Sequence, residues 1–135
     1  MQDVPLQKAS IIERCLRRVA EIYRGDPASL KDWDRQDAIL LNLERACQAA
    51  IDLAMFTCAQ DHLGVPTSSA DAFLLLEKAG RIPLALGQAL RAMVGFRNVA
   101  VHAYRELDLA IVQRVVETAH RDLAALCRAL GLRID

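Results

Sequence analysis

From Val112 to Leu130 apolar side chains recur every three or four residues, at Val112, Val115 or Val116, Ala119, Leu123, Leu126 and Leu130. That spacing lays them on one stripe of an α-helix, which turns once in 3.6 residues. A strand cannot present it, because successive strand residues face opposite ways. The same recurrence opens the chain at Ile12, Leu16, Val19 and Tyr23. The sequence has no strand-like alternation, no internal repeat and no low-complexity tract. Its 135 residues therefore read as a single all-α domain over 1–135, a helical bundle of about five helices.

Local signals divide that bundle. Helix one is predicted over Val4–Tyr23, with Asp3 as N-cap, Pro5 in the first turn and Gly25 as the stop. Arg14, Arg17 and Arg18 fall off its apolar stripe, as a solvated face or as an edge that contacts phosphate. Trp33, the sole tryptophan, is expected to anchor the following connection in the core. Helix two is predicted over 34–62. Its apolar residues cover more than one stripe, so it is central or meets a second chain. His62 near its end would suit the helix dipole. Ser68 with Asp71 resembles a capping box for a short helix three over 70–78. Pro83 at the first helical position starts helix four, and Gly95 within it is expected to admit a close backbone approach. Asp108 caps helix five, which runs to Leu130 before Gly131.

Hydrophobic residues make up 53% of the chain and aromatics only 4%, more aliphatic surface than one small core absorbs. An oligomeric interface is the expected sink. Lys+Arg and Asp+Glu balance at 17 each, which argues against broad electrostatic capture of nucleic acid. Any work on RNA must use a local patch. The four cysteines show no zinc-ligand spacing and sit among apolar residues, so they read as buried hydrophobes in a reducing cytosol. No signal pattern opens the chain, and Glu44, Arg45 and Asp52 interrupt its longest apolar region. A cytoplasmic protein with no membrane span is expected.

One short stretch breaks the aliphatic pattern. Arg97, Asn98, His102 and Tyr104 fall within eight residues. A neutral imidazole takes a proton near pH 7 and an imidazolium returns it. A guanidinium offers a planar fork of donors to a phosphate. Together they form a minimal kit for RNA cleavage. His102 would activate the 2′-hydroxyl or protonate the leaving oxygen, and Arg97 would stabilise the pentacoordinate phosphorus. No metal or other cofactor is called for. On an ideal helix, residues five apart lie about 140° apart around the axis. Either the helix deforms, or a two-fold dimer joins the two faces. If the helix stays regular, Arg91, Asn98, His102 and Arg105 share one side. A looser pair, Arg114 and His120, lies off the stripe of helix five and reads as solvated surface.

Arg97-Asn98, three residues, His102-Ala103-Tyr104 resembles the Arg-polar-x3-His motif of HEPN-domain ribonucleases, and the trailing His-x-Tyr resembles HepT-type toxins. The similarity extends to the blocks 41–47, 63–69 and 93–98. It implies a dimerising all-α fold and a metal-independent ribonuclease site shared by both copies, with Arg97 and His102 catalytic and Asn98 supporting. It also implies a nucleotidyltransferase antitoxin as partner, which in one branch transfers AMP to the tyrosine, here Tyr104. Ala103 stands where many relatives carry an acid. The resemblance leaves open a non-catalytic module that binds nucleotide and partners the nucleotidyltransferase.

Overall fold

The computed structural model describes residues 3–102 and 108–134, with residues 99–102 described by their backbone alone. Among the described residues there are five α-helices and no strands: α1 (Val4–Tyr23), α2 (Trp33–Gln60), α3 (Ser69–Lys78), α4 (Leu84–His102) and α5 (Leu109–Ala129). A 3-10 turn, Pro27–Lys31, links α1 to α2. The five helices fall within a few residues of their predicted bounds.

Local chemistry explains where they start. Asp3 Oδ1 accepts from the Leu6 backbone N–H (3.1 Å), Asp32 Oδ1 from Arg35 (3.2 Å) and Asp108 Oδ1 from Ala110 (2.9 Å). Each carboxylate satisfies a helix-start donor that has no intrahelical partner. Ser68 Oγ accepts from the Asp71 N–H (3.1 Å). The Asp71 carboxylate in turn reaches the Thr67 N–H (2.9 Å), one residue before the position a capping box uses. Pro83 lies just outside α4, and its carbonyl takes the first helical bond, from Gly87 (3.0 Å).

His62 does not end α2 as a charge on its last turn. It follows the C-cap Asp61 with φ 56° and is exposed. The Leu63 N–H folds back to the Cys58 carbonyl (2.9 Å), the left-handed closure that glycine ordinarily makes. Trp33 also departs from expectation. It is 76% exposed at the start of α2 and anchors nothing. The connection is instead held by Leu30, 2% exposed, and by Ser29, whose Oγ donates to the Tyr23 carbonyl (3.0 Å).

The longest shared face lies between α1 and α2. The central helix α2 also touches α3, α4 and α5, which is why its apolar residues exceed one stripe. Ile12, Ile39, Leu53, Phe73, Leu90 and Leu123 are all within 1% of complete burial. Arg114 and His120 are exposed on α5, as expected of solvated surface. No helix among the described residues is long and apolar enough to cross a membrane.

Candidate functional site

Arg97 sits on the last turns of α4 and is half-buried against α2. Its Nη2 donates to Gln48 Oε1 at 2.6 Å, a short charge-assisted bond. Its Nη1 donates to Asn98 Oδ1 at 3.3 Å. Its Nε is buried and has no partner among the described residues. The guanidinium is therefore held at one edge, with one donor unpaired among the described residues. Leaving a buried donor unpaired costs about 1–3 kcal/mol, so such a group marks a place where something besides stability is served.

Gln48 does not act alone. Its Nε2 donates to Asp52 Oδ1 (2.9 Å), and Asp52 Oδ2 accepts from Lys8 Nζ (3.0 Å). A line of polar side chains thus crosses from α1 through α2 to the arginine of α4. Gln48 and Asp52 are one turn apart on α2, so the amide presents its N–H to the carboxylate and its oxygen to Arg97. Beneath Arg97, the side chains of Leu43, Cys47, Met93, Phe96 and Leu123 leave a crevice of about 10 Å³. That is room for at most one water, so a phosphate would have to reach Arg97 from the open side.

α4 stays α-helical from Leu84 to His102. The backbone does not deform between Arg97 and His102, so the two positions lie about 140° apart around the axis. Of the two solutions to that spacing, a single kinked helix is gone. The side chain of His102 lies outside what is described, as do Ala103, Tyr104 and Arg105 entirely. Asn98 is exposed, with its carbonyl oxygen toward Arg97. The basic strip expected of Arg91, Asn98, His102 and Arg105 lies partly outside the described residues. Arg91 turns to α3, where its Nη1 donates to Glu77 Oε1 (3.0 Å). Gly95 shows no close approach among the described residues, since a Cβ there would meet nothing of them within 4 Å.

The thiols are not nucleophiles. All four cysteines are buried and unpaired. Burial pushes Cys47 up to about 11 despite the nearby Arg97 guanidinium, and pushes Cys127 up to about 11 as well. No group of His, Cys, Asp and Glu among the described residues could hold a metal ion.

Gln48 and its line to Lys8 are the part of this site that sequence reading missed. The one available signal was the polar pair Gln48 and Asp52 at i, i+4 within the alanine- and leucine-rich middle of helix two.

Comparison with known proteins gives one consistent answer. Residues 12–130 match the family described as Ribonuclease HepT-like. The mRNA nuclease HepT of Shewanella oneidensis is 44% identical over 118 residues, spanning 87% of this chain and 88% of that protein. The solved structure of a tri-AMPylated Shewanella oneidensis HEPN toxin in complex with MNT antitoxin superposes with a TM-score of 0.90 at 40% identity. It covers 97% of this chain and 98% of its own. A toxin–antitoxin structure with AMP-PNP has a TM-score of 0.90 at 39% identity, over 96% and 98% of the two chains.

Proposed function

Since the chain belongs to the HepT-like ribonuclease family, we propose that it is an endoribonuclease toxin restrained by a nucleotidyltransferase antitoxin. Its substrate is cellular RNA, either mRNA or tRNA. The observation that carries this reading is the placement of Arg97, held at one edge by Gln48, with an Nε that has no partner among the described residues, five residues before His102 on an unbroken helix. That register leaves a two-fold homodimer as the way to bring arginine and histidine to one phosphate.

The chemistry is transphosphorylation. One His102 imidazole takes the proton of the 2′-hydroxyl as the 2′-oxygen bonds to phosphorus. The bond to the 5′-oxygen breaks, and the imidazolium of the second copy's His102 returns a proton to that oxygen. The products are a 2′,3′-cyclic phosphate and a 5′-hydroxyl. Arg97 stabilises the charge that builds on the equatorial oxygens, with Asn98 at its side. DNA lacks the attacking hydroxyl and is not cut. No metal ion enters these steps. Control would come from transfer of AMP to Tyr104, two residues from His102.

Growth and total RNA after induction of wild type, Arg97→Ala and His102→Ala test the site. Wild type should arrest growth and fragment RNA, and each variant should lose about 100-fold or more in cleavage. Cleavage by His102→Ala at the wild-type rate would refute the assignment, and sensitivity to EDTA would refute the metal-free mechanism. Incubation with the antitoxin and ATP should add AMP at Tyr104 by intact mass and peptide mapping. Nucleotide binding by wild type without any RNA turnover would favour the non-catalytic module.

A further inference from the structure

The outer side of the α1–α2 pair carries an open groove of about 500 Å³. Its floor is Ile11, Cys15 and Ala49, apolar and half or wholly buried. On its rim the charges are unevenly satisfied. Lys8 and Asp52 neutralise each other across the groove. Arg14 from α1 and Arg45 from α2 are both exposed, and neither forms an ion pair among the described residues. Their neighbours on α1 differ, since Arg17 pairs with Glu13 (2.7 Å) and Arg18 with Glu21 (3.2 Å). The potential of both groove arginines reaches the Cys15 thiol between them, where burial still dominates and raises its pKa.

The groove is joined to the candidate site by one residue. Gln48 lines it and also accepts the bond from Arg97. Arg45 and Gln48 are neighbours one turn apart on α2, so the rim leads along that helix toward Arg97.

We propose that this groove seats the RNA strand on its way to Arg97, with successive phosphates on Arg14 and Arg45 and the sugars against the apolar floor. The proposal rests on the ribonuclease reading above. Two guanidiniums without ion pairs among the described residues, flanking a concave apolar floor, suit a polyanion whose backbone is charged and whose sugars are not. The chain has no net charge, so a strand must find a local patch, and in this groove Arg14 and Arg45 have no ion-pair partner among the described residues while Lys8 offsets Asp52. No aromatic side chain lines the floor, so bases have no stacking platform and the contact reads backbone rather than sequence.

The test is binding of a fluorescent 2′-O-methyl RNA of about ten nucleotides, which cannot be cut by its own 2′-oxygen. Wild type is compared with the double variants Arg14→Gln/Arg45→Gln and Arg17→Gln/Arg18→Gln, which remove equal charge from exposed helix positions. The groove variant should bind about tenfold more weakly, and its salt slope should flatten by about 1.4, from about 0.7 per contact on a single strand. The second variant should bind as wild type does. Unchanged binding by the groove variant, or equal loss in both, overturns the proposal. So does loss of self-association or of antitoxin binding with RNA affinity intact, which would make the groove a protein interface. Wild type that binds the probe through Arg14 and Arg45 but cuts no unmodified RNA would overturn the ribonuclease reading and leave the groove standing. Wild type that binds no RNA overturns both.

Discussion

Arg97 draws its orientation from a neutral amide rather than from a carboxylate. Gln48 fixes one edge of the guanidinium at 2.6 Å without cancelling its charge. A Glu at that position would form a salt bridge and neutralise the positive potential on which the proposed stabilisation of a phosphorane rests. Asp52 holds the amide from behind, and Lys8 cancels the carboxylate one step further away. The negative charge is thus kept one residue removed from the arginine. Gln48→Ala should free the guanidinium to sample other rotamers and lower kcat at saturating RNA by about tenfold, or about 1.4 kcal/mol of barrier. The fold should respond little, because both bonds lost, to Arg97 and to Asp52, are only part-buried. Parallel cleavage assays and thermal melts check this. A variant that melts near wild type and cuts as fast would show that Gln48 does not position Arg97.

The same economy shapes the contact between α3 and α4. Glu77 and Arg91 join the two helices with side chains only 14% and 26% exposed. Gly87 lies one turn before Arg91, and a Cβ on it would collide with the Glu77 carboxylate. Glycine within a helix costs about 1 kcal/mol relative to alanine. Here the missing methylene makes room for the ion pair. Gly87→Ala alone should therefore gain little, since the helix benefit is offset by displacing Glu77 from Arg91. In a Glu77→Ala background the same substitution should stabilise by the full amount, about 1 kcal/mol. Urea unfolding of the four proteins gives the coupling directly, and strict additivity would reject the argument. None of this was legible in the sequence, where Gly87 is one small residue in a run of apolar ones. The helices were legible because their periodicity and carboxylate caps are local. Trp33 misled because an aromatic beside a turn ordinarily docks, whereas here Leu30 takes that place.

For the whole molecule, legibility stops where contacts span the chain. The motif 97–104 is contiguous and could be read, but Arg97 meets Gln48 from 49 positions away, and no spacing rule reaches that far. The tie that closes the bundle is longer still. Tyr23 at the end of α1 is 6% exposed, and its Oη donates to Glu117 Oε2 on α5 at 2.7 Å, across 94 positions. Burial first, and then the Glu117 carboxylate, push the phenol up to about 12. In the unfolded chain it titrates near its ordinary value of about 10. Between those values the unfolded state sheds the proton first. The contribution of Tyr23 is therefore complete below pH of about 10 and is lost as pH rises through about 12. Tyr23→Phe removes the bond and the titration together. It should cost about 1 kcal/mol at neutral pH. Its deficit against wild type should then narrow through the alkaline window, because only wild type has a buried phenol to ionise. Denaturant melts of both proteins at stepped pH measure that gap, in which other alkaline titrations cancel. A gap that stays constant through the window would mean that burial and Glu117 do not hold the phenol protonated.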